Sequence, residues 1–263
     1  MEWETVDFKL QGSVATVTMN RPDHYNALNL KMGDDLCEAL ETCIKRQDVR
    51  AVVLTGSGKA FCSGGDLRAA REQASSEPSE PYRQLTKRLN RIIISIRHME
   101  KPVIAAVNGA AGGAGFSIAV ACDLRIASSG AKFRQAYTSV GLVPDGGWTL
   151  FVPLLAGFGQ ASELVLLDPV IDAAKALKMG LVNEVVEPEG LEKAAQQTAV
   201  KLASGPTRSF AIAKSLLNSS LLNMLERQLE LERDGIIKAA GTADYLEGLE
   251  SFFGKRMPGF KGM

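Results

Sequence analysis

Two glycine-rich turns, each placed directly after a short apolar strand, limit most strongly what this chain can fold into. The first reads Ala60-Phe61-Cys62-Ser63-Gly64-Gly65-Asp66-Leu67 and follows the β-branched run Val49 to Leu54. The second reads Asn108-Gly109-Ala110-Ala111-Gly112-Gly113-Ala114-Gly115 and follows the apolar run Lys101 to Val107. Short apolar runs bounded by turn residues are the pattern of buried strands, and strand ends in open α/β folds are where ligands bind. Glycine lets the backbone approach a ligand closely and leaves its N–H groups free to donate. Two such turns side by side can aim two donors at one oxygen, which is what an oxyanion hole requires. Each turn taken alone is equally a tight turn with no ligand. Neither matches the dinucleotide fingerprint with its acidic partner, and neither is a GxxxxGK[ST] phosphate loop.

The rest of the chain supports an α/β fold. Ala15 to Met19 alternates apolar and polar residues, as a strand does, and Asn20 to Asp23 is a turn signal. Met32, Leu36, Leu40, Cys43 and Ile44 then share one helical face. Strand, helix and the strand Val49 to Leu54 make a parallel βαβ unit. A polar stretch near Ser75 to Pro81 reads as a mobile loop, and a helix is predicted from about Tyr82 to Met99. A helix through Ile118 and Ala121 and strands at Leu124 to Ala127 and Lys132 to Gln135 follow. From Trp148 the pattern is mostly helical, broken at Gly157, Pro169 and Gly205-Pro206. The reading is an α/β core over residues 1–200 and a C-terminal helical region over 201–263.

Composition excludes several function classes. Lys+Arg and Asp+Glu both count 30, so no net field attracts a polyanion, which argues against nucleic-acid binding. A few placed cations can still hold one small anionic ligand. Cys37, Cys43, Cys62 and Cys122 form no CxxC pair, and with only His24 and His98 there is no zinc pattern. They read as reduced thiols of a cytoplasmic protein. No apolar run reaches membrane-spanning length, and the N-terminus has no signal-peptide core.

A third segment, Val140 to Trp148, places Asp145 between Pro144 and the pair Gly146-Gly147. An aspartate there is either a helix N-cap or a functional carboxylate.

In order and spacing, Asn20-Arg21-Pro22 with Asn26-Ala27-Leu28, Phe61 to Leu67, Lys101-Pro102 with Asn108-Gly109, and Cys122-Asp123 resemble the crotonase superfamily, the enoyl-CoA hydratase/isomerase family. So do Ala174, Leu177 and Gly180-Leu181-Val182, and the stretch from Gly248 to Gly262. The resemblance covers nearly the whole chain. It implies stacked ββα turns in a spiral core and a C-terminal helical region used in trimerisation, giving a homotrimer or homohexamer. It implies an acyl-CoA thioester as substrate, with no separate cofactor and no metal. It places the two oxyanion donors on the backbone N–H groups of Ser63 and Ala114. Arg21, Ala27, Asp66 and Leu67 fall near the coenzyme A entrance, and Asp66 also suits the cap of the helix that follows it. Tyr137 falls at the acyl pocket. Phe252 and Lys255 match residues that reach the adenine and phosphates, often of a neighbouring subunit.

Departures from the family pattern narrow the reaction. The two glutamates with which family hydratases deliver and activate water fall here on Ser117 and Tyr137. Neither is a carboxylate base, since a tyrosine ordinarily titrates near 10. Asp145 matches the position where a subset of the family, the epoxyphenylacetyl-CoA and 3-enoyl-CoA isomerases, carries its only carboxylate. One base suffices to remove an α-proton and return it at the γ-carbon. The expectation is therefore an enoyl-CoA isomerase with Asp145 as base. The alternatives are a hydratase or lyase working through Asp145 and a water, or an acyl-CoA-binding member without turnover. Dehalogenases of the family use the same aspartate with a histidine and a tryptophan, but here those positions are Asn90 and Tyr137.

Overall fold

The computed structural model describes residues 3–73, 77–221 and 224–263, with the backbone alone for Gln73 and Leu221. The chain opens with an antiparallel pair, β1 (Val6–Gln11) and β2 (Val14–Met19), and then forms α1 (Leu30–Lys45). Asn29 starts that helix, its side chain accepting a hydrogen bond from the Met32 amide. The next strand, β3 (Ala51–Gly56), lies parallel to β2, which completes the βαβ unit expected from the sequence.

A repeated pattern follows. β3 is succeeded by a short strand β4 (Ala60–Cys62), then by α2 (Leu67–Gln73) and α3 (Glu80–His98). β5 (Val103–Val107) is succeeded by β6 (Ala110–Gly112) and α4 (Ala114–Ala121). β7 (Leu124–Ser128) is succeeded by β8 (Lys132–Arg134) and α5 (Trp148–Ala156). In each round the first strand joins one sheet, the second joins another, and a helix returns the chain. The result is a spiral of ββα turns. The larger sheet has the order β1-β2-β3-β5-β7-β10 and the smaller β4-β6-β8-β9.

After α5 come α6 (Phe158–Leu167), β9 (Ile171–Asp172), α7 (Ala173–Lys178), β10 (Glu184–Val186) and α8 (Leu191–Ala203). Then α9 (Thr207–Leu221), α10 (Leu225–Ala240) and α11 (Ala243–Gly254) close the chain. β9 and β10 add two short strands to a region read as mostly helical. Each is two or three residues long, below the length at which periodicity is visible, and each exists only because an edge was free to pair. β10 adds to β7 in parallel and β9 to β8 in antiparallel fashion. In the same way Ala60–Cys62 and Ala110–Gly112, read as turn, are strands of the second sheet. Of the stretch expected as a mobile loop, Ser75 and Ser76 lie outside the described residues, while Glu80 and Pro81 already belong to α3.

The larger sheet is buried on both faces, which explains its continuous apolar runs. Ala51, Val53, Ile104 and Ala106 face α8 through Leu191, Ala195, Ala199 and Ala203. The alternate residues Val52, Leu54, Val103 and Ala105 face the main core, with Leu36 and Leu40 of α1 and Ile92, Ile93 and Ile96 of α3. The smaller sheet contributes Phe61, Ala111, Phe133 and Ile171 to that same core. A third cluster, formed by Ala70, Tyr82, Tyr137, Val140, Leu142, Ile236, Ala240, Tyr245 and Leu249, packs α2, α3, α10 and α11 over the turns that end the short strands.

Candidate active site

The two glycine turns touch. β4 and β6 are parallel neighbours, with Cys62 beside Ala111, so the turns leaving them run side by side. A side chain at Gly64, which has φ +111, would begin 3.1 Å from the Gly112 carbonyl oxygen. One at Gly115 would begin 2.0 Å from the Cys62 carbonyl oxygen. Only glycine permits that approach of backbone to backbone.

The amides of the turns are not equivalent, and one expectation is corrected. The Ser63 N–H donates to the Tyr25 carbonyl at 3.1 Å, so it is already spent. Asp66 likewise donates to the Leu28 carbonyl at 3.0 Å, which joins Gly65 to Leu28 in a parallel bridge. Between them, the Gly65 N–H has no acceptor among the described residues, and neither has the Ala114 N–H at the start of α4. The pair of free amides is therefore Gly65 and Ala114, not Ser63 and Ala114. The sequence could not separate Ser63 from Gly65, because the difference lies in where the distant Tyr25 carbonyl falls.

Asp145 is 5% exposed and sits across from the start of α4. The Tyr137 hydroxyl donates to its Oδ1 at 2.5 Å, while Oδ2 has no hydrogen-bond partner among the described residues. The Ser117 hydroxyl donates to the Asp145 backbone carbonyl at 2.7 Å, fixing the peptide from below. Burial pushes the Asp145 carboxyl up to about 7 against the opposing pull of the Tyr137 hydrogen bond, and the neighbouring Glu232 charge pushes the same way as burial. Tyr137 itself is held well above its usual range by burial and by the Asp145 charge. It is a hydrogen-bond donor here, not an acid.

Asp145 is not the cap of α5. That role belongs to Glu232, which sequence reasoning missed. Its carboxylate accepts from the Gly147 amide at 2.6 Å and the Thr149 amide at 2.9 Å, and from the Thr149 hydroxyl. Gln228 adds a hydrogen bond to the same hydroxyl at 2.7 Å. A carboxylate at a helix N-terminus is favoured by the unpaired amides there, and this one arrives from α10. The signal in the sequence was its place on the apolar stripe Leu225, Leu229, Glu232, Ile236: a charge at a core position needs a partner. With Glu232 holding the turn, the Asp145 side chain is not needed to cap α5.

The other expected residues fall into two groups. Arg21 donates to the Ala27 carbonyl at 2.5 Å and to Asp66 Oδ2 at 3.0 Å, and Asp66 Oδ1 caps α2 through the Ala69 amide at 3.2 Å. Arg21, Ala27, Asp66 and Leu67 are thus together, beside Gly65. Phe252 and Lys255 are apart from them. Phe252 is 56% exposed and Lys255 is exposed at the end of α11. Within one chain their link to the site is Phe253, which stacks edge-on with Phe252 and receives the Arg71 guanidinium over its ring at 5.0 Å. Among the described residues there is no metal-binding cluster of His, Cys, Asp and Glu, and no helix is long and apolar enough to cross a membrane.

The family model for enoyl-CoA hydratase/isomerase matches residues 9–263. This chain belongs to the enoyl-CoA hydratase/isomerase family. It is 37% identical over 253 residues to an Escherichia coli protein named 1,2-epoxyphenylacetyl-CoA isomerase, covering 96% of this chain and 97% of that one. It is 38% identical over 262 residues to a probable enoyl-CoA hydratase of Rhodobacter capsulatus, covering both chains fully at 100%. The crystal structure of an enoyl-CoA hydratase from Mycobacterium avium subsp. paratuberculosis superposes with a TM-score of 0.89 at 32% identity, over 99% of this chain and 100% of that one. The crotonase fold and its C-terminal helices are therefore those expected from the sequence.

The raised Asp145 pKa has a consequence for stability. Between the ordinary carboxylate range and about 7 the native state holds a proton that the unfolded chain has released, so stability falls as pH rises through that window. Asp145→Asn carries no such group. The variant should melt several degrees above the wild type at about pH 8, and the two should converge towards about pH 4. Calorimetric melts across pH check this. A constant difference between the two proteins at all pH values would contradict it.

Proposed function

We propose that this protein is an enoyl-CoA isomerase that moves a double bond by way of a thioester enolate. The observation that carries the reading is an unengaged carboxylate oxygen: of the three buried carboxylates in and beside the turns among the described residues, Asp66 is held by Arg21 and the Ala69 amide, Glu232 by the Gly147 and Thr149 amides, and Asp145 keeps a free oxygen. In the proposed reaction the thioester carbonyl of a 3-enoyl-CoA accepts from the Gly65 and Ala114 amides. Asp145 Oδ2 takes a proton from the α-carbon. The electron pair of that C–H bond enters the enolate, whose charge the two amides and the N-terminus of α4 stabilise. The same proton returns to the γ-carbon, the double bond settles in conjugation with the thioester, and Asp145 is regenerated. Loss of one such amide donor typically costs roughly 3–4 kcal/mol of barrier. Only protons move, so the scheme requires no cofactor.

A pKa near 7 suits this task, because the base must be ionised to take the proton and acidic enough to give it back. Tyr137 orients the carboxylate through Oδ1. Hydration by the family's usual pair is disfavoured, because Ser117 is occupied with a backbone carbonyl and Tyr137 with Asp145. The names of the relatives, two of them isomerases and several hydratases, accommodate either reaction. Asp145→Asn should lose at least about a hundredfold in kcat while acyl-CoA binding persists. Ultraviolet absorbance separates the reactions: 3-enoyl-CoA should gain conjugation, whereas loss of conjugation from 2-enoyl-CoA would mean hydratase. A fully active Asp145→Asn protein overturns the assignment.

The coenzyme A contact at Phe252 and Lys255 belongs to the same reading, through ring stacking and charge pairing with phosphate. Their positions are remote from the reacting carbon. Phe252→Ala and Lys255→Ala should therefore raise KM with little change in kcat, and the Lys255 effect should shrink as salt rises. Unchanged KM in both variants would remove the contact.

Assembly is proposed as a homotrimer or a pair of trimers. Ile212, Leu216 and Leu217 of α9 are exposed at 64%, 66% and 61%, an apolar stripe that a single chain leaves in water. Leu222 lies outside the described residues, as does the side chain of Leu221. Light scattering at micromolar concentration should return a multiple of three chains, and a monomer would count against it.

A further inference from the structure

Beyond Asp145 and the free amides, the buried cluster around Tyr137 holds a polar pair that the proposed reaction does not use. Tyr82 of α3 and Tyr245 of α11 are 4% and 1% exposed. Their hydroxyls are 2.9 Å apart and their rings meet edge to face at 88°. Two hydroxyls carry two protons, and the contact between them uses one. The second proton has no acceptor among the described residues, and the surroundings are apolar: Ala70, Val140, Leu142, Ile236, Ala240 and Leu249. A buried donor left unmade costs about 1–3 kcal/mol, so a pair kept in this form is a site awaiting an acceptor.

Tyr82 shares a small cleft with Leu28, the bridge partner of Gly65, and with Asp66, Ala70 and Leu85. From the other side, Tyr137 bonds Asp145 and packs in the same cluster as both tyrosines. Burial, the Tyr245 hydroxyl and the Asp145 charge all keep Tyr82 un-ionised, so it serves as a donor.

We propose that Tyr82 and Tyr245 form a specificity subsite at the far end of the acyl pocket, which selects acyl-CoA substrates carrying an oxygen acceptor (a hydroxyl, carbonyl or ring oxygen) distal to the thioester. The substrate oxygen accepts the spare hydroxyl proton of the pair. A plain hydrocarbon chain in the same place leaves that proton unpaired. This rests on the isomerase reading for the pocket's location and goes beyond it in naming the substrate class.

The test uses the full chain and matched ligands: saturated acyl-CoA thioesters of short and medium length, each with and without a terminal hydroxyl, titrated by calorimetry. At the chain length that reaches the pair, the hydroxylated ligand should bind about three- to tenfold more tightly. Tyr82→Phe and Tyr245→Phe should abolish that preference and leave the affinity for the plain ligand unchanged. The subsite is overturned if no chain length shows a preference, or if both Phe variants weaken the two ligands equally, which is what a merely structural pair would do. Because saturated ligands cannot be isomerised, the outcome is independent of turnover. Tight, discriminating binding with no conversion of 3-enoyl-CoA would sink the isomerase reading and leave the subsite standing. Isomerisation without discrimination would do the reverse.

Discussion

Everything in this site depends on two backbones being allowed to touch. The turns after β4 and β6 pack with no side chain between them, so that Gly115 lies against the Cys62 carbonyl and Gly112 against that of Ser63. Any larger residue at Gly115 would begin inside the van der Waals shell of that oxygen, at 2.0 Å. The contact brings the Gly65 and Ala114 amides to neighbouring positions, and the rigidity of the two sheets beneath holds them there. Preorganisation of this kind is what gives amide donors their effect, because no reorganisation is needed when charge develops.

The carboxylates illustrate how one environment divides labour. Asp145 and Glu232 are both buried, and burial raises the pKa of each. Glu232 receives two amides and a hydroxyl in compensation, so it serves the structure of the 145–149 turn. Asp145 receives one hydroxyl, which steadies one oxygen and leaves the other. The imbalance carries a stability cost for the native protein at neutral pH, as expected where a group is held in readiness.

Much of this was legible in the residues. The apolar runs bounded by glycine gave the parallel strands, because burial on both faces removes alternation. Asp145, between proline and two glycines, was legible as a helix cap or a functional carboxylate, and the family resemblance favoured the second. Arg21, Ala27, Asp66 and Leu67 were grouped by resemblance, and the fold does bring them together. Glu232 was legible only as an oddity, a charge on an apolar helical stripe, since its partners lie more than eighty residues away in sequence. The Tyr82–Tyr245 pair gave no signal at all, because two tyrosines on separate helices are indistinguishable from ordinary core aromatics.

The sequence by itself determined most of the local elements and the positions where the backbone had to come close. Those follow from steric limits and periodicity, which act over a few residues. Tertiary structure alone decided which amide of the first turn is free, which acid caps α5, and which two hydroxyls meet in the cluster around Tyr137. Each is a question of where a distant group falls. The Tyr25 carbonyl takes Ser63 and leaves Gly65, and α10 brings Glu232 to amides that Asp145 would otherwise be the nearest to cap. Hydrogen bonds saturate, so the use of a donor is settled only when every competitor has its place.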